Sequence, residues 1–207
     1  AFTGNGSSVV NAVAFANDGS LALGPAEGTI TFNGGLTTTS VGGTVTLGSG
    51  LSFSGSPLVI ATSNDAIVLG AVTLGTATII DTNATNGTGD ITVAAITGGN
   101  NTLTLTTENN IANADITASG AIAGVTTLTL ASVGGTATFS NNVSTTDLTV
   151  DNTVANVTFT GGTNVFTNTV NFQNDGTLTF GDATGDSFTF NGGLTTSSVA
   201  GTVTLNT

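Results

Sequence analysis

The sequence predicts an all-β chain wound as a parallel β-solenoid. Three observations carry this reading. Thr and apolar residues alternate with period two in short runs, Gly, Asn or Asp closes each run, and a long stretch near the start returns near the end.

The runs, in order, are "GTITFNG" (28–34), "GTVTLGS" (43–49), "NTLTLTT" (101–107), "GTATFSN" (135–141), "NVTFTGG" (156–162), "GTLTFGD" (176–182) and "SFTFNGG" (187–193). Within each, Thr faces one side of the pleat and a large apolar residue the other. β-Branched Thr, Val and Ile favour the extended backbone. Turn residues that tolerate positive φ stand between runs, at Asn5-Gly6, Asp18-Gly19, Asn33-Gly34, Asn86-Gly87, Asp175-Gly176 and Asn191-Gly192. Helical periodicity and caps are missing throughout; 110–123 is Ala-rich but has neither. The alternation predicts Val45, Leu47, Phe188, Phe190, Val203 and Leu205 inward, with Thr44, Thr46, Thr189, Thr202 and Thr204 outward.

The internal match is long. Residues 2–24 lie over 159–181 at an offset of 157, so that Phe15 meets Phe172 and Leu21 meets Leu178. One residue is then gained, and "FNGGLTTTSVGGTVTL" (32–47) meets "FNGGLTTSSVAGTVTL" (190–205) at an offset of 158. The predicted organisation is one long unit over 1–158 and the start of a second copy over 159–207. Equivalent positions predict Phe15 and Phe172 in one core role, Gly34 and Gly192 in one turn, and the extra residue absorbed in a loop. No strict short period runs inside the unit. The alternative fold is a tandem array of antiparallel β-sandwich modules, but the chain has no Trp, Tyr or Cys to mark out a sandwich strand. A solenoid needs no such landmarks, since each rung packs on a similar rung.

Composition excludes several functions. The 207 residues include no Lys, Arg, His, Cys, Met, Trp or Tyr, and 12 carboxylates give a formal charge of −12. Without cations there is nothing to neutralise phosphates, so nucleic-acid binding is not expected. Anionic lipid would repel the surface. The most apolar run, 66–80, is shorter than a membrane helix and is broken by Gly and Thr, and the aromatic girdles of a membrane barrel are missing. The start carries no leader-like segment. Trypsin-like proteases find no site and the sulfur oxidation targets are absent, which favours an extracellular location.

At this level the chain resembles known proteins. The stretch "GDITVAAITGGNNTLTLTTENNIANADITASGAIAGVTTLTLAS" (89–132) is similar to the repetitive body of large secreted bacterial exoproteins of the filamentous-haemagglutinin type. The stretches 134–162 and 32–47 resemble repeats of autotransporter passenger domains and rickettsial surface antigens. The resemblance implies a right-handed parallel β-helix at the cell surface, serving adhesion or assembly. Those families carry scattered Lys and Arg, and this chain departs from them there. It transfers no site residues.

Candidate chemistry is sparse. No His, Lys or Cys exists to serve a Ser or Thr nucleophile, so no catalytic residue is expected. The close carboxylate pairs are Asp147 with Asp151 and Asp182 with Asp186, and the first copy keeps only Glu27 at the place of the second pair, which marks a solvated turn. No cofactor is expected. Calcium is the one metal to weigh, with Asp90, Asp182 and Asp186 in "NATNGTGD" and "GDATGD" as its candidate ligands, although neither stretch has the spacing of a known calcium loop. Outward Thr ladders raise ice binding, which requires equal steps from rung to rung. The Thr-x-Thr starts fall at 29, 44, 76, 102, 127, 136, 158, 177 and 202, with no common interval, and so argue against it.

The expected function is therefore a non-enzymatic extracellular structural or adhesive segment of a repetitive bacterial surface or filament-forming protein. Self-association into a filament or array is expected, with a surface glycan or a host or cell-surface molecule as the external ligand class. The rival readings are a discrete adhesin or carbohydrate-binding sandwich module, weakened by the missing Trp and Tyr, and a homopolymeric filament subunit.

Overall fold

A run that buries every second residue must place its apolar edge on other such edges, and stacking rung on rung does so without hairpins. The computed structural model, which describes residues 7–23, 30–33, 36–38, 40–47, 51–53, 58–62, 64–85, 89–108 and 111–207, shows that solution. Its strands join one sheet, and every pairing is parallel. The chain makes about eight turns of a β-solenoid, with no helix among the described residues. Parallel pairing throughout removes the antiparallel sandwich alternative.

Each turn has three faces. The first runs upward through Ser7–Val9, Ile30–Phe32, Leu51–Phe53 and the end of Ile67–Leu74, and reaches Thr163–Phe166 and Ser187–Phe190. The second includes Leu58–Ala61, Thr78–Asp81 and the later part of Ile91–Thr106. The third runs from Leu21–Leu23 through Val45–Leu47, Ile116–Ala118, Thr136–Phe139 and Asn156–Phe159 to Leu178–Phe180 and Val203–Leu205.

Turn length varies while the ladder does not. Thr78 lies over Leu58 and Ile122 over Ile96, and the second of these turns takes more chain than the first. The surplus of the longer turn goes into a bulge, with register shifts at Asn101. Gly99 has φ +58° and Asn100 φ +63° there, and the Asn101 amide donates to the carbonyls of Leu74 and Gly98, each at 3.0 Å. The corner after the second face takes a left-handed residue in successive turns, at Asn64, Asn83, Glu108 and Ser132.

The interior is one continuous apolar column. Val45, Leu47, Ile91, Leu128, Phe159 and Phe180 are buried within it. Phe rings stack along the third face, Phe139 on Phe159 on Phe180, and Phe166 stacks on Phe190 along the first. Several buried polar groups are committed to the backbone. The Asn164 side-chain carbonyl accepts from the Val143 N–H at 2.9 Å and its amide donates to the Gly161 carbonyl at 2.6 Å. Thr38 both donates to and accepts from the backbone of Ala61, at 2.9 and 2.8 Å.

The expected faces are found for Val45 and Leu47, both fully buried, with Thr46 half-buried between them. Phe188 and Phe190 are half-buried against the core, and Thr189 and Thr202 are exposed. Val203 and Leu205 correct the expectation in part. They sit in register over the buried Leu178 and Phe180, yet are 37% and 67% exposed, because the outermost described rung has a neighbour on one side only.

The sequence match recurs in the hydrogen bonding. Leu21 pairs with Val45 and Leu178 with Val203; Val9 pairs with Phe32 and Phe166 with Phe190. The Gly42 N–H donates to the Asn17 carbonyl at 2.8 Å, and at the matching place the Ala200 N–H donates to the Asn174 carbonyl at 3.1 Å. Side-chain amides repeat too: Asn17 donates to the Gly19 and Ser20 carbonyls, and Asn174 to those of Gly176 and Thr177. Phe15 is half-buried against the core where Phe172 is fully buried. The extra residue falls within 181–187, a turn with Gly181 and Gly185 at positive φ, and the strands on both sides keep register. Its counterpart 24–29, together with Gly34, lies outside the described residues.

Candidate functional site

The carboxylates singled out from sequence are tied into the coil. On the third face, the Asp90 carboxylate accepts from the Asp115 N–H one rung away at 2.9 Å, and Asp115 in turn accepts from the Thr136 N–H at 2.7 Å. Asn156 continues the pattern, accepting from the Thr177 N–H and hydroxyl, both at 2.9 Å. These side chains bridge rungs at the point where each turn enters the face. Asp186 closes a turn, its carboxylate accepting from the N–H groups of Asp182 and Ala183 at 2.9 and 3.2 Å. Asp182 itself is exposed. Asp90 thus stands on a rung several turns below Asp182 and Asp186, and the three are not brought together. No cluster of three or more metal-binding side chains exists among the described residues.

The other pair is separated by role. Asp147 accepts from the Asn168 amide at 2.7 Å. Asp151 accepts from the Thr153 N–H at 2.9 Å and also from the Thr153 hydroxyl. Glu27 lies outside the described residues.

The structure does unite one carboxyl pair that the sequence concealed. Asp81 ends a strand of the second face, in register with Thr106, and Glu108 stands just beyond that partner. Burial pushes the Asp81 carboxyl up from 3.8 to about 6; the Asn83 N–H, donating at 2.7 Å, opposes this, while the charge of Glu108 and its hydrogen bond to Asp81 add to it. Beside the pair runs an open cleft of about 550 Å³ lined by Val59, Ile79, Thr104 and Ser132. Asp81 can hold a proton in mildly acidic solution. Only the particular length of this turn brings Asp81 and Glu108 together, and the sequence carries no fixed period from which to read that length.

The outward side of the third face is the most regular surface. One outward position on each rung is occupied, going up, by Ala22, Thr46, Val68, Thr92, Thr117, Thr138, Thr158, Thr179 and Thr204, each in register with the next. The unequal intervals between Thr-x-Thr starts had argued against any such row. They mix the three faces, with Thr31 on the first and Thr104 and Thr129 on the second, and they include the varying turn length; within the third face strand pairing restores one rung per step. From Thr92 upward the hydroxyls of this column make no hydrogen bond among the described residues, whereas the flanking column of Asp90, Asp115, Asn156 and Thr177 is engaged between rungs. The outermost described rung adds a second surface of mixed character: a recess of about 400 Å³ lined by Phe180, Phe188, Phe190 and Leu205 together with Asp186, Ser187 and Thr207.

No helix is long and apolar enough to cross a membrane among the described residues. No protein-family model, curated protein or solved structure matches the chain, so the parallel β-solenoid and its ordered Thr face stand on their own geometry.

Proposed function

We propose that this chain is a non-enzymatic structural segment of a repetitive extracellular surface protein, of the kind its sequence resembles. The observation that carries the proposal is the recurrence of one strand register in 7–47 and 164–205, within a ladder that is parallel throughout. A solenoid whose rungs recur in this way extends by adding copies, with 1–158 as the unit and 159–207 opening the next. Its action is mechanical. Backbone hydrogen bonds run along the axis, rungs rise by about 4.8 Å, and a continuous core resists bending. The absence of Lys and Arg, which denies trypsin-like proteases a site, supports an extracellular setting. Self-association into arrays and contact with a glycan or cell-surface molecule belong to the same reading, and calcium is not required by it.

An antibody to the chain should label unpermeabilised cells of the source organism, on filaments or on a surface layer. Labelling that appears only after permeabilisation would end this reading.

A further inference from the structure

We propose that the outward Thr column of the third face binds ice. Thr92, Thr117, Thr138, Thr158, Thr179 and Thr204 stand on successive rungs, joined by direct strand pairing at every step. Their sequence separations differ, but their spatial step is that of neighbouring strands, about 4.8 Å. The entry positions of the same strands, about 6.6 Å away along the strand, hold Asp90, Asp115, Thr136, Asn156, Thr177 and Thr202 and are mostly engaged between rungs, so the free hydroxyls lie in the one column. The result is a straight row of hydroxyl and methyl groups at one strand step. Hexagonal ice repeats its water positions along one axis at a distance close to the rung spacing.

The chemistry of the face selects that partner. In a chain of formal charge −12, the part of the face from Thr136 to Thr204 carries no carboxylate, so it complements a neutral surface and no charged one. The column's hydroxyls have no partner among the described residues, which leaves them to take the places of lattice waters, while the methyl groups fill the space between them. The stacked ladder holds the row in position beforehand, so little side-chain freedom is lost on contact. Each hydroxyl contributes little. Many engaging together give lasting adsorption, because every later contact is made at high effective concentration. Sugar lattices are a poorer match, since the face offers no aromatic ring for stacking. The inference goes beyond the structural reading, because a spacer needs no ligand on this face.

The test uses the purified chain in ice-affinity partition and in thermal hysteresis measurements. The chain is expected to enrich in the ice fraction and to hold the freezing point below the melting point. The double variant Thr158→Tyr and Thr179→Tyr should lower hysteresis at least tenfold. Thr149→Tyr with Thr195→Tyr, on the exposed second face, should leave it unchanged. Circular dichroism and the unfolding midpoint report whether each variant keeps its fold, and Thr158→Val with Thr179→Val removes hydroxyls while keeping shape, with a severalfold loss expected. Exclusion of the wild-type chain from ice would overturn the proposal, as would equal losses from both Tyr pairs. Adsorption to crystalline cellulose or chitin without hysteresis would overturn it as well. Each of these outcomes leaves the surface-labelling result untouched, so the two readings fail separately.

Discussion

Phe159 lies face to face on Phe139, with ring centroids 4.9 Å apart and planes 15° from parallel. Phe180 covers the other side of Phe159 at 6.0 Å and 10°, and Phe166 and Phe172 meet its edges. Removing the central ring leaves a void that neighbours held by two ladders cannot fill. Phe159→Ala should therefore cost about 3–5 kcal/mol and Phe159→Leu clearly less, read as shifts of the urea midpoint. Equal effects from the two variants would show that ring packing is not what matters at this rung.

Gly120 sits where a corner passes close to the turn below. A Cβ there would stand 1.5 Å from the Ala94 carbonyl oxygen, whereas at Gly19 it would meet nothing within 4 Å. Gly120→Ala should destabilise by more than about 2 kcal/mol. Gly19→Ala should be neutral or stabilise by up to about 1 kcal/mol, through reduced freedom of the unfolded chain. Thermal denaturation of the two variants side by side checks the contrast.

Asn164 is fully buried and fills a gap in the ladder with both ends of its amide. Asn164→Ala strands the Val143 N–H and the Gly161 carbonyl. A loss of about 2–3 kcal/mol is expected, with hydrogen exchange at the Val143 amide accelerated ahead of amides on distant rungs. Unchanged exchange at Val143 would assign that N–H another partner.

Asp81 gives the fold a pH dependence of defined sign. Its carboxyl titrates near 6 in the folded chain against 3.8 as its ordinary value, so the native state binds the proton more tightly. The stabilisation is complete below about pH 4, declines as pH rises through 6, and is constant above that. Asp81 is half-buried, so solvent screening reduces the effect to the order of 1 kcal/mol. Asp81→Asn should flatten the stability profile between pH 4 and pH 6 and raise stability at pH 7, as urea midpoints across that range would show. A profile that keeps its slope in the variant would place the titration elsewhere.

The inward positions were legible in the sequence because strand periodicity is local. Val45 and Leu47 flank Thr46 in the text as they do in space. The recurrence was legible as well, and among the described residues its strand register returns at Val9 with Phe166 and at Leu21 with Leu178. Which residue lies above which was not. The step from Leu58 to Thr78 is shorter along the chain than the step from Ile96 to Ile122, and corner loops and bulges alone decide the difference. Everything that depends on stacking was therefore hidden. Thr138, Thr158 and Thr179 form a row that their intervals disguise, and Asp81 meets Glu108 across a whole turn. Asp90 was visible as a candidate ligand, but its bridging to Asp115, and that of Asp115 and Asn156 to the rungs above, follows from the ladder. The exposure of Val203 and Leu205 depends on neighbours above them, and alternation along a strand says nothing of that.

The shared register of the two copies has a genetic consequence. Seven turns of the coil separate Val9 from Phe166. Both copies offer the same partners above them, so recombination between their coding segments would join Leu21 to the residue after Leu178 with the following rung still in register. Such an exchange removes or inserts complete turns and never a fraction of one. Length could then drift between lineages without passing through a misfolded intermediate, and selection would act on reach alone.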